Sequence, residues 1–108
     1  MYVISVYNDF SHFPTGRYKK SGKGSGEDFR DRILIPAIKQ RGKVIVDLDG
    51  PDGYSSSFLE EAFGGLLRRG LTLQEVKSSV ELRASTKWEA YKGLAERYIE
   101  SAARANSA

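Results

Sequence analysis

The chain has 108 residues and a formal net charge of +3, with 40% hydrophobic and 29% charged residues, no cysteine and one histidine, His12. That length supports one hydrophobic core and not two, and the composition is that of a folded globular domain. The missing thiols exclude disulfides and thiolate metal sites, a single histidine excludes a histidine cluster, and the small basic excess is too slight to predict a nucleic-acid partner.

Residues 1–7, "MYVISVY", alternate Tyr2, Ile4 and Val6 against Val3, Ser5 and Tyr7 and read as a first strand. Residues 8–25 form a glycine-rich basic loop, in which Pro14, Gly16, Gly22 and Gly24 leave no regular period. A loop that long in a small domain implies function or mobility. Ser25, with Asp28 three positions on, opens a helix with Phe29, Ile33 and Ala37 on one face. Pro36 predicts a kink or an early end between Leu34 and Pro36, because it removes a backbone donor. After a Gly42 turn, "KVIVDLDG" carries the apolar residues Val44, Ile45, Val46 and Leu48 of a covered central strand. The next helix has a broad apolar stripe of Phe58, Leu59, Ala62, Phe63, Leu66 and Leu67, with Gly70 as its stop. Its expected N-cap is Ser57, with Glu60 completing a capping box. Gly64 and Gly65 inside this helix cost about 1 kcal/mol each relative to alanine, which close packing would offset. Residues 80–84, "VELRA", read as a further strand. Thr86 with Glu89 then opens a last helix striped by Trp88, Tyr91, Leu94, Ala95, Tyr98 and Ile99, and residues 103–108 are expected to fray. Strands alternating with helices predict an α/β layer in a single domain, residues 1–108. No apolar run reaches membrane-spanning length and the first residues lack the basic start of a secretory signal, so the expected compartment is the cytoplasm, with no membrane contact.

Three patterns invite a chemical reading. "GRYKKSGKG" resembles a phosphate-binding loop, but five residues separate Gly16 from Gly22 where that motif has four, and Gly24 stands where a Ser or Thr would hold magnesium. Arg17, Lys19, Lys20 and Lys23 remain a candidate anion-binding set for a ligand or an acidic partner. "GYSSS" lacks the second glycine of a hydrolase nucleophile elbow, since Ser57 stands in its place, and His12 is the one conceivable base. Asp47, Asp49 and Asp52 suit a strand end wrapped into a turn better than a magnesium site. These counts predict no catalytic residue, no metal and no cofactor. Ser55 and Ser56 lie where a strand end meets a helix start, a place that favours an anion and would accommodate a phosphoryl group. Small polar residues that simply suit the turn are the alternative.

"KVIVDLDGPDGYSSSFLEEAFGGLLRRG", together with "GRYKKSGKGSGEDFRDRILIPAI", resembles the STAS-like domain family of unknown function, named for its similarity to anti-sigma factor antagonists. The resemblance covers residues 2–84. It implies a small α/β domain with a central mixed β-sheet and helices packed on it. In the antagonists a strand ends in Asp-Ser-Ser-Gly-Leu, whose first serine is phosphorylated by an ATP-dependent kinase that also sequesters a sigma factor. That pattern lays Ser55 on the Asp, Ser56 on the phosphorylated serine, Ser57 on the second serine, Phe58 on the glycine and Leu59 on the leucine. The Asp and the glycine are therefore replaced here. The resemblance implies a non-catalytic regulatory module that binds a protein, an ATP-binding kinase or an anti-sigma-like protein, through Ser56, Ser55, Asp52 and Tyr54. The competing expectation is a phosphate- or nucleotide-binding enzyme built on the basic loop.

Overall fold

The computed structural model describes residues 2–107, with side chains up to residue 106. Its elements in chain order are β1 (Tyr2–Ser5), α1 (Val6–Asp9), a 3-10 turn (Lys19–Ser21), α2 (residues 26–41), β2 (Val44–Asp47), α3 (residues 56–68), α4 (Leu73–Ser79), β3 (Val80–Arg83), a second 3-10 turn (Thr86–Trp88) and α5 (Glu89–Ser107). The three strands form one sheet in the order β1-β2-β3, with β2 central as expected. The expected mixed sheet is instead parallel throughout the described strands, Tyr2 pairing with Val44 and Val44 with Val80. Each strand is followed by a helical crossover before the next, and such connections return the chain in the same direction.

The first strand ends earlier than residue 7. The Ser5 hydroxyl accepts from the Asn8 amide at 3.0 Å and the Asp9 carboxylate accepts from the Ser5 amide at 2.7 Å, so the chain turns into α1 at Val6. Pro36 does not end α2. The helix widens to a π-helical turn over Phe29–Leu34, and Pro36 then falls in the first turn of the α-helical part, Ile35–Arg41, where no donor is required. The last helix is entered through Ser85 and the 3-10 turn rather than through a Thr86 cap, because the Ser85 amide and hydroxyl are both held by Asp49. Residues 103–107, expected to belong to a frayed tail, are helical in the structure. Here α5 runs on to Ser107, and the Asn106 side chain donates to the Leu67 carbonyl oxygen at 2.5 Å. Ala108 lies outside the described residues. Helix α4 was not expected at all, although "TLQE" announces it: the Glu75 amide donates to the Thr72 hydroxyl at 3.1 Å and the Thr72 amide to the Glu75 carboxylate at 2.8 Å, a complete capping box.

One face of the sheet supplies Ile4, Val44, Val46 and Leu82 to the core, where they meet Phe29 and Leu34 of α2, Phe58, Phe63 and Leu66 of α3 and Ala95 and Ile99 of α5. The opposite face carries Ile45 buried between Val3 and Glu81, which are both exposed. Helix α3 is buried all round from Glu61 to Leu67, as befits a helix enclosed by the rest of the fold. That enclosure explains three glycines. A side chain on Gly26 would come within 2.5 Å of the Phe58 carbonyl oxygen, so α2 and α3 touch backbone to backbone at the start of α2. One on Gly64 would stand 3.3 Å from the Tyr98 carbonyl oxygen of α5. One on Gly65 would collide with the guanidinium of Arg30.

Gly65→Ala therefore tests this packing. Despite alanine's higher helix propensity, the substitution should cost about 1–3 kcal/mol in urea denaturation, and an Arg30→Met background should remove most of the penalty by clearing the collision.

Candidate functional site

The candidate site is the start of α3 and the glycine-rich loop laid against it. Leu48 to Ser55 leads into α3 through a turn with few free polar groups. The Asp47 carboxylate accepts from the Asp49 amide at 3.0 Å, Asp49 holds Ser85, the Trp88 indole donates to the Pro51 carbonyl oxygen at 2.8 Å, and the Tyr54 hydroxyl donates to the Leu48 carbonyl oxygen at 2.7 Å. Asp47 and Asp49 thus act as turn acceptors, and the described residues contain no group of three or more His, Cys, Asp or Glu able to hold a metal ion. Tyr54, expected at the surface, is buried, 8% exposed. Burial, then the charges of Asp47 and Asp49, push its phenol well above its ordinary pKa and keep it a neutral donor. Asp52 is exposed.

The three serines have different tasks. Ser55, not Ser57, is the N-cap of α3: its hydroxyl accepts from the Phe58 amide at 3.1 Å. The capping box expected of Ser57 and Glu60 does not form, because the helix already begins at Ser55 and Ser57 lies inside it; the Glu60 carboxylate pairs instead with Arg17 and Arg68. Ser57 is half-buried, its hydroxyl 3.4 Å from that of Ser55. Ser56 occupies the first turn of the helix with its side chain exposed.

The glycine-rich loop is fastened here rather than free. Residues 15–17 run beside 24–27 through hydrogen bonds from Thr15 to Gly24, Gly26 to Gly16 and Glu27 to Arg17. The Gly16 amide donates to the Ser55 hydroxyl at 3.2 Å, so one serine caps the helix and holds the loop at once. Arg17 reaches further along α3 and donates to Glu60 at 2.5 Å and to Glu61 at 3.1 Å. Arg68 gives Glu60 two more hydrogen bonds, both of 2.8 Å. Behind them Arg30, 4% exposed, binds the Glu61 carboxylate and the carboxylate of Asp31, which also accepts from Arg69 at 2.8 Å. Hydrogen bonds from Arg68 and then Arg17 hold the Glu60 carboxyl below its ordinary pKa against the opposing effect of burial. Hydrogen bonds from Arg30 and then Arg69 bring Asp31 down to about 2, again against burial.

Of the candidate anion-binding residues, the structure therefore commits Arg17 to carboxylates of its own chain. Lys19 donates its amide to Glu27 at 2.8 Å and holds its ammonium 3.9 Å from Asp31. Lys20 and Lys23 are exposed, Lys20 standing 6.0 Å above the Tyr18 ring. The loop is thus brought to the serines by Gly16 and Arg17, while Lys20 and Lys23 remain exposed. Sequence reasoning missed Arg30 as a member of this site, while Glu60 and Glu61 were expected on the surface beside the serines. The adjacent Glu60 and Glu61 on an otherwise apolar helix were the available signal.

The family model described as a STAS-like domain of unknown function matches residues 25–87, and the chain belongs to that family. The match runs from the N-cap of α2 to the turn that precedes α5 and so contains the serine turn and the ion network apart from Arg17 and Lys19, which precede it. Comparison with curated proteins and with solved structures found no match. No helix of the described residues is long and apolar enough to cross a membrane.

Two measurements follow from this geometry. Ser55→Ala removes a cap and a loop anchor together, so it should lower unfolding stability by about 1–2 kcal/mol and speed hydrogen exchange at the Gly16 and Phe58 amides above that of neighbouring amides. Asp31 is depressed in the folded state, so its contribution is complete above its unfolded pKa of about 4 and is lost as pH falls towards 2. The unfolding midpoint should decline across that window, and less steeply in Asp31→Asn.

Proposed function

We propose that this domain is a regulatory, protein-binding module without catalysis of its own, switched at Ser56. The observation that carries the reading is the division of labour among the serines: Ser55 is committed to Phe58 and Gly16, Ser57 is half-buried, and Ser56 alone offers an exposed hydroxyl at the helix start. The partner docks around the first turn of α3, where exposed Asp52 and half-buried Glu60 lie close in sequence to Ser56. Its class is the one the family resemblance implies, an ATP-binding kinase or an anti-sigma-like protein. In the modification step the Ser56 oxygen attacks the γ-phosphorus of ATP held by the partner. A new O–P bond forms, the bond to ADP breaks, and the hydroxyl proton passes to a base of the kinase. The phosphoryl group adds close to two negative charges on a surface that already carries carboxylates, enough to change the affinity of a complementary face. A cytoplasmic location, where ATP is available, belongs to the same reading. Membership of the STAS-like family supports a regulatory role, and the internal neutralisation of Arg17 leaves the basic loop poorly equipped for the competing nucleotide chemistry.

The test is affinity capture from the source cell with wild type, Ser56→Ala and Ser56→Asp, followed by calorimetry with the purified partner. Ser56→Asp should change the dissociation constant about tenfold or more while Ser56→Ala stays near wild type. Equal constants for all three proteins would sink the reading.

A further inference from the structure

Arg17 is a member of the ion network that its acceptors can lose and remain paired. Glu60 keeps two hydrogen bonds from Arg68 when Arg17 leaves, and Glu61 keeps Arg30. Arg17 is itself one-third exposed, unlike Arg30. Its position also follows the face of α3 that contains Ser56. Gly16, the residue before it, is held by Ser55, and Glu60, its principal acceptor, stands four residues after Ser56, one helical turn further along the same face. Arg17 is thus tied to α3 on both sides of residue 56 in the chain, at Ser55 through Gly16 and at Glu60 directly.

We propose that a phosphoryl group on Ser56 captures Arg17 from Glu60 and Glu61, so that the glycine-rich loop moves with the switch. This rests on the reading of Ser56 as the modified residue. A phosphate dianion offers three acceptor oxygens and about twice the charge of a carboxylate that is already shared, and arginine matches it with two parallel hydrogen bonds. Glu60, four residues from the new dianion, is repelled by it and remains with Arg68. The loop is then pinned at Gly16 and Arg17 to the first turn of α3, and its exposed Phe13, Tyr18, Lys20 and Lys23 are repositioned relative to that turn. A partner that reads Ser56 thereby reads the basic loop as well.

The experiment uses the full chain with phosphoserine placed at position 56 during translation, and follows the second phosphate ionisation by phosphorus NMR. An adjoining guanidinium should hold that pKa about one unit below its ordinary value near 6, and Arg17→Gln should restore it. The rate of trypsin cleavage after Lys20 and Lys23 should also change on phosphorylation in wild type and stay constant in Arg17→Gln. An ordinary pKa, or one indifferent to Arg17→Gln in a variant with native circular dichroism, overturns the capture. That result would leave the partner affinities of Ser56→Asp and Ser56→Ala standing, whereas equal affinities with an Arg17-dependent pKa would overturn the switch and not the contact.

Discussion

A buried guanidinium facing a buried carboxylate is the constraint around which this domain is arranged. Arg30 and Glu61 are 4% and 6% exposed, and their contact joins the π-helical stretch of α2 to that of α3. A charge taken out of water is tolerable only with its partner and its hydrogen bonds in place, and both helices meet that demand. Arg30 also donates to the Glu61 carbonyl oxygen, an acceptor within the π-helical stretch, and Gly65 gives up a side chain to leave the guanidinium room. The remaining acceptor capacity of Glu61 draws in Arg17 and Arg68, so the ordering of the loop follows from the ionic chemistry of the core.

This arrangement makes the start of α3 a junction. The strand end and the helix are joined by a turn that Asp47, Asp49 and Tyr54 close from within and Trp88 holds from outside, so little there is free to reorganise. The glycine-rich loop, in contrast, is tied by a serine hydroxyl and by one arginine that the network can do without. Rigid and releasable contacts thus meet within one helical turn, the combination a two-state element requires.

The parts of the fold governed by local periodicity were legible in the sequence. The unbroken apolar run from Val44 marked the central strand, the stripe from Phe58 to Leu67 marked α3, and the serine turn pointed to the family. What was not legible depended on partners distant in the chain. Ser57 with Glu60 had the spacing of a capping box, yet Glu60 is claimed by Arg17, a residue 43 positions away. Arg30 has the composition of a surface residue, and only the facing Glu61 and the gap at Gly65 account for its burial. Tyr54 looked like a surface aromatic because its acceptor, the Leu48 carbonyl oxygen, becomes available only once the turn closes. Pro36 was read against α-helical spacing, and the widened turn before it changes the register it must satisfy. Helix α4 is a different case, since its capping signal was local and complete.

The parallel sheet has a kinetic consequence. Neither strand pairing is a hairpin: Tyr2 waits for Val44 and Val44 for Val80, so each ladder closes a loop of several tens of residues before it gains a hydrogen bond. Contacts of that sequence separation slow folding, and the helices between the strands can form while the ladders are still open. In that interval β1, with the uncharged sequence Tyr2 to Ser5, is an unprotected strand edge. The rate at which the chain finds its own β2, before another copy's, then sets the concentration at which it refolds cleanly.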